Sequence, residues 1–353
     1  MTATFGLSMH HAKLMVSLFL TALFISNPVA AQADQTRLEV GYMPILPVAQ
    51  LFVLEEAGWA EDAGLELELT RFSSGPAMVQ ALASGELDVM YFGIGPAMVA
   101  RSQDVPIRVL AASIQEQIGL VARGTLADSF AAHNGDAKAA IAAFTESEGK
   151  RPRLATFPQG SVPDTVLRHW LIEVLGIGTD AVDIVSMGAD RVQQALLAGA
   201  VDGASILEPI LTTVQERVDG ARVVARADAM LPGQPGAVLA AREAAIREHR
   251  DALVDLLALH IRATEQLNAH PDETAPYVRA FVGQRLIPEA TVARALRSPA
   301  SNYVADPEAI REGTQRMHDF QIAQGSLGRA VNLDALFEIS LYEQALEATP
   351  HDD

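Results

Sequence analysis

The sequence predicts an α/β protein built from two doubly wound lobes. Three observations carry that expectation. Strand-like and helix-like stretches alternate from Arg37 onward, and glycine- and proline-rich helix starts follow the ends of strands. One pattern also occurs twice: Gln80-Ala81-Leu82-Ala83-Ser84-Gly85-Glu86-Leu87-Asp88 aligns with Gln194-Ala195-Leu196-Leu197-Ala198-Gly199-Ala200-Val201-Asp202. In each copy a helix stops at glycine, crosses a short turn and enters a strand through a hydrophobic-Asp pair, as two equivalent lobes would require.

In chain order, Arg37–Tyr42 alternates and is rich in β-formers, so it reads as a strand. Val48–Ala57 has helical spacing and is stopped by Gly58. Leu65–Phe72 alternates strictly, a second strand. The motif Gly-Pro-Ala-Met-Val then appears at Gly75–Val79 and again at Gly95–Val99, each copy starting a helix, with the strand Leu87–Phe92 between them. Ile107–Ala112 and Ile118–Ala122 are further strands. The order β-α-β-α-β-α-β is that of a mostly parallel sheet with helices on both faces. After an alanine-rich stretch over 124–150, a second such unit starts at the strand Arg153–Thr156. It continues with helix Pro163–Leu175, strand Val182–Ser186, helix Arg191–Ala198 and strand Val201–Leu207. From Ala244 the pattern is helical: one long amphipathic helix Ala244–Asn268, then starts at Pro271, Pro307 and Leu333.

Composition narrows the function. The chain has 353 residues, 49% hydrophobic and 20% charged, with a formal net charge of −18. That is a globular composition, and its acidity argues against nucleic acid or an anionic membrane surface as partner. Residues 1–33 have the layout of an export signal: Lys13, the apolar run Leu14–Ile25, and the small-residue site Ala31-Gln32-Ala33. There is no cysteine, which excludes disulfides, a lipidated cysteine anchor, thiol nucleophiles and cysteine metal sites. The mature chain is expected to be a free, exported monomer.

The helix starts are the candidate site. A helix N-terminus presents unpaired N–H groups and a partial positive charge, which together suit an anion. Proline fits the first turn, and glycine lets a backbone approach a ligand. In a doubly wound sheet these starts lie beyond the carboxyl ends of the strands, where ligands bind. Ser73, Ser74 and Gly75 form one start and Gly95 another. Gln159 and Ser161 form a third, and Glu208, beside Pro209, a fourth. Tyr42, Met43 and Ile45, after the first strand, join the same cleft. Glu208 has two readings, capping its own helix or pairing with a cationic group on the ligand.

The run GYMPILPVAQLFVLEEAGWAEDAGLELELTRFSSGPAMVQALASGELDVMYFG, followed by ATFPQGSVPDTVLRHWL and ALLAGAVDGASILEP, resembles periplasmic substrate-binding proteins of the nitrate/sulfonate/taurine import class. Their wider group includes thiamine-precursor-binding and pyrimidine-synthesis proteins. The resemblance spans roughly Leu38 to Tyr342 and implies a bilobal periplasmic-binding fold of the second type. Its lobes would be joined by two crossing strands, mapped near Ile118–Arg123 and Leu231–Ala240. Lobe one then comprises 34–122 and 233–353, and lobe two 123–232. Ligand contacts implied by the resemblance fall at Tyr42, Met43, Ser74, Gly75, Gly95, Gln159, Ser161 and Glu208. The loop Met43-Pro44-Ile45-Leu46 departs from many relatives, so solute identity does not carry over.

The function implied is that of a receptor that hands a small anionic or zwitterionic solute to a membrane permease driven by an ATPase, without catalysis or cofactor. A thiamine-precursor-like heterocycle is the alternative solute. An enzyme on the same fold is the remote one. The desulfinase of the group uses a cysteine that this chain lacks, and the nine histidines show no HExxH spacing.

Overall fold

A computed structural model describes residues 35–282 and 286–348. The export signal read at 1–33 lies outside the described residues. Twelve strands are present among them: β1 Thr36–Tyr42, β2 Leu65–Arg71, β3 Val89–Gly93, β4 Ile107–Ala112, β5 Ile114–Gln115, β6 Gly119–Ala122, β7 Arg153–Thr156, β8 Asp183–Ser186, β9 Gly203–Ile206, β10 Arg222–Arg226, β11 Ala237–Arg242 and β12 Asn302–Tyr303.

The strands form two five-stranded sheets, ordered β2-β1-β3-β11-β4 and β10-β6-β9-β7-β8, and a small β12-β5 pair. The trio β2-β1-β3 is parallel, and so is its counterpart β8-β7-β9. Helices follow these strands as expected: Gly75–Ala83, Ile94–Ser102, Val162–His169 and Ala189–Ala198. The α/β class is therefore the architecture present, although each sheet is mixed rather than parallel throughout. In the first sheet, β11 runs antiparallel between β3 and β4. Its residues Ala237–Ala241 are buried, the continuous apolar run of a central strand covered on both faces.

The chain leaves the first sheet after β4 and enters the second at β6, so the outward crossing lies at 113–118. This is earlier than the Ile118–Arg123 read from sequence: β6, counted there with the first lobe, pairs with β9 and β10 in the second sheet. A short apolar strand looks alike in either sheet, and only its pairing assigns it. The return runs through 231–236. The two crossings are tied together: Glu116 N–H donates to the Gln234 carbonyl at 2.9 Å, and Gly233 N–H donates to the Glu116 carboxylate at 2.8 Å.

The C-terminal helices cover the first sheet and also reach the second. The long helix expected over Ala244–Asn268 is two helices, Glu243–Glu248 and Arg250–Ala269, broken at His249. Toward the second half, the Thr291 hydroxyl donates to Glu216 at 2.7 Å. Gln321 Nε2 donates to the Gly160 carbonyl at 3.2 Å and to Thr165 Oγ1 at 2.9 Å.

Candidate functional site

Three helix starts converge on one internal cavity. From the first sheet come the starts of Gly75–Ala83 and Ile94–Ser102, and from the second the start of Val162–His169. The lining comprises Met43 and Ile45 after β1, Gly75, Gly93 and Pro96 at the helix starts, and Ala237 of β11. Facing them are Phe157 after β7, Ser161, Val162 and Pro163, and Leu207 after β9; Gln117 joins from the outward crossing. These positions lie beyond the carboxyl ends of the parallel strands, as the topology requires. The cavity is small, with ≈ 330 Å³ of space not filled by atoms.

The walls are largely apolar and uncharged, with Gln117 and Ser161 as their polar side chains. No Asp, Glu, Lys, Arg or His belongs to the lining. Ser161 caps its helix, accepting from Asp164 N–H at 3.5 Å, which leaves the hydroxyl hydrogen to donate. Each converging helix carries a proline in its first turn (Pro76, Pro96, Pro163), which removes one N–H apiece. The remaining first-turn N–H groups keep the partial positive character of a helix start.

Of the residues named from sequence, Met43, Ile45, Gly75 and Ser161 line this cavity. Gly95 lies in the seam beside it, its α-carbon against the Gly160 carbonyl: a methyl group there would fall 2.4 Å from that oxygen. Ser73 is exposed and lies opposite Gly188 across the seam, where a second, open hollow with ≈ 800 Å³ of space not filled by atoms is lined by Pro44, Arg71, Ser73 and 188–191. Ser74 is the extended residue before the Gly75 helix, with no side-chain cap bond. Gln159 is exposed and outside the lining.

Tyr42 and Glu208 are occupied elsewhere. The Tyr42 ring packs edge-on against Phe52 and Phe281, both at 5.8 Å, and burial raises its phenol above the ordinary value against the pull of nearby Arg71. Glu208 is buried, and its two carboxylate oxygens accept from Thr212, one from the backbone N–H at 3.0 Å and one from the hydroxyl at 2.9 Å. Burial raises its pKa; the Thr212 backbone bond, a Ser298 hydroxyl and nearby Arg226 oppose the rise. Of the two readings offered for Glu208, capping its own helix is the one the structure displays.

Gln117 and Phe157 were missed. Phe157 sits one residue past β7, a position that the strand end itself could have flagged. Gln117 lies in a crossing with no motif, and nothing local marks it. Among the described residues there is no cluster of metal-ligating side chains, and no helix is long and apolar enough to cross a membrane.

Comparison with known proteins gives the family and the fold. Residues 31–282 match the NMT1-like family. The chain is 26% identical over 253 residues to the taurine-binding periplasmic protein of Escherichia coli K12, covering 69% of this chain and 70% of that one. The fold matches the periplasmic nitrate-binding protein NrtA from Synechocystis PCC 6803 with a TM-score of 0.74, at 14% identity and 89% coverage of each chain. It also matches the alkanesulfonate-binding protein SsuA from Xanthomonas axonopodis pv. citri, with a TM-score of 0.69 at 17% identity, over 87% of this chain and 99% of that one. A desulfurization enzyme, DszB, shares the fold at a TM-score of 0.62 and 16% identity, over 89% of this chain and 99% of that one. At these identities the structural likeness establishes the fold alone.

Proposed function

The chain belongs to the NMT1-like family, and from that premise we propose that it is the extracytoplasmic solute receptor of an ABC-type importer. The observation that carries this reading is the convergence of helix starts from both sheets on one small cavity. A solute held there touches both halves, so its binding free energy favours the closed arrangement over the open one. A permease and its ATPase would then take the solute from the receptor. The relative named for taurine supports this assignment, and so does a lining without any acid–base pair that could carry out catalysis.

The solute is read as a small organic anion. The donors that serve an anion in this reading are the Ser161 hydroxyl and those first-turn N–H groups of the three helices not already bonded, as those of Ile94 and Asp164 are. The walls around them (Met43, Ile45, Phe157, Leu207) suit an apolar stem. Met43, Gly75, Ser161 and the Gly95 seam are the ligand neighbours in this reading. A neutral heterocycle is the second reading, favoured by Phe157 in a lining without a fixed cation.

The test is a thermal-shift screen of refolded, solute-free protein against sulfonates, nitrate, carboxylates and pyrimidines. A ligand of the folded state raises the melting temperature once it exceeds its dissociation constant. Alkyl sulfonates or carboxylates are expected to shift it, and pyrimidines are not. A shift with pyrimidines alone would overturn the anion assignment. Turnover of any of these compounds would overturn the receptor assignment.

A further inference from the structure

Gln117 stands in the outward crossing, just before β6. It is 2% exposed, it lines the cavity, and its Oε1 has no hydrogen-bond partner. An amide oxygen buried without a partner costs on the order of 1–3 kcal/mol, so native proteins keep such atoms rarely and for a reason. The side chain is also held in place. A methyl group on Gly236 would fall 3.0 Å from Gln117 Cδ and 2.5 Å from the Ile114 carbonyl oxygen, so the return crossing presses directly on the outward one and on the Gln117 amide.

We propose that Gln117 is the specificity-determining residue of this cavity, reading an uncharged hydrogen-bonding group, a hydroxyl or an amide, on the end of the solute turned away from the helix starts. This rests on the organic-anion receptor reading above. The argument compares three solutes with the same anionic head. A hydroxyl end both donates and accepts, as the Gln117 amide does, and so completes it. A methyl end leaves Gln117 unpartnered. An ammonium end enters a cavity with no carboxylate in its lining. Glu208, the nearby acid, does not line the cavity and has both oxygens engaged by Thr212. A buried, unpaired ammonium is the costliest of the three.

The probes are isethionate, ethanesulfonate and taurine, which share a sulfonate head and end in hydroxyl, methyl and ammonium. They are titrated calorimetrically into the exported, solute-free protein. Isethionate is expected to bind about tenfold or more tighter than ethanesulfonate, the ratio one satisfied buried amide supports, with taurine no better than ethanesulfonate. Gln117→Met should erase the preference for isethionate while leaving ethanesulfonate binding within a few fold. Gln117→Glu places a carboxylate on the wall and should turn the preference toward taurine, a gain that loss of folding cannot produce. Equal binding of all three by the parent protein would overturn this inference and leave the receptor reading standing, as would a preference that survives in Gln117→Met. Failure of all three to bind would overturn this inference and remove sulfonates from the organic-anion reading, which the thermal-shift screen tests separately through carboxylates.

Discussion

His260 is fully buried, with Nε2 2.7 Å from the Ala112 carbonyl oxygen. A carbonyl only accepts, so Nε2 carries the hydrogen and Nδ1 is bare, and Nδ1 has no partner. Burial lowers its pKa from 6.5 to about 4, against the raising effect of the Ala112 bond. A depressed histidine contributes stability that is present above its unfolded value and lost as the pH falls. Between pH 6.5 and about 4 the unfolded chain takes up a proton that the folded one refuses. The loss should approach about 3 kcal/mol at the acid end. His260→Gln can keep a donor to Ala112 but cannot titrate, so its melting temperature should fall less steeply over that range than the parent's. Parallel pH profiles for the two would show that His260 is not the source. In the sequence, His260 is one of nine scattered histidines. Its burial, like the capping geometry of Glu208, is set by what packs around it.

The repeated pattern at Gln80–Asp88 and Gln194–Asp202 is a structural equivalence. Asp88 accepts from Glu39 N–H of β1 at 3.1 Å, and Asp202 from Arg153 N–H of β7 at 2.8 Å. Gly85 and Gly199, at φ +83° and +71°, both take the left-handed turn that ends their helices. Asp88 fastens the middle of β1 and Asp202 the first residue of β7, each a parallel strand inside its sheet. Asp88 also holds Arg242 of β11 at 2.7 Å, whereas among the described residues Asp202 forms no ion pair. Asp202→Ala should therefore cost about 1–2 kcal/mol, and Asp88→Ala about 1 kcal/mol more, read as shifts in the urea midpoint. A larger cost at Asp202 would contradict the added role of Asp88. The helix starts and parallel strands were legible because glycine, proline and alternation are local signals. β11 was not, having been absorbed into the return crossing, because an apolar run beside Pro235 carries no mark of the two strands it will join. The break at His249 left no proline or glycine to announce it.

Between the halves, backbone approach matters more than charge. The Arg71–Asp190 pair bridges the seam at 3.1 Å, but its side chains are 40% and 59% exposed, and such pairs contribute at most about 1 kcal/mol. The two Gly-Pro-Ala-Met-Val copies show the difference in scale. Gly75 packs against Pro96 of the second copy, where a methyl group would meet Pro96 Cγ at 2.3 Å, inside one half of the molecule. Gly95 instead meets the Gly160 carbonyl of the other half. Gly95→Ala should therefore weaken solute binding about tenfold or more by holding the halves apart, with the melting temperature of the solute-free protein changed by a few degrees at most. Gly75→Ala should lower that melting temperature itself. Calorimetric affinities unchanged in Gly95→Ala would mean that the seam need not close on the solute.

By itself the sequence determined the α/β class, the two related units, the order of strands through β9 apart from the short β5, and the helix starts that face the cavity. All of these follow from signals spanning a few residues: turn residues, alternation, capping and one repeated motif. The tertiary structure alone decided which sheet β6 joins, where β11 inserts, and that Tyr42 and Glu208 are spent on the core and on a cap. It alone brought Gln117 from a featureless crossing to the wall of the cavity. Those outcomes depend on pairing and burial between segments as far apart as Gln117 and Gly236, and burial is a property of the partner as much as of the residue.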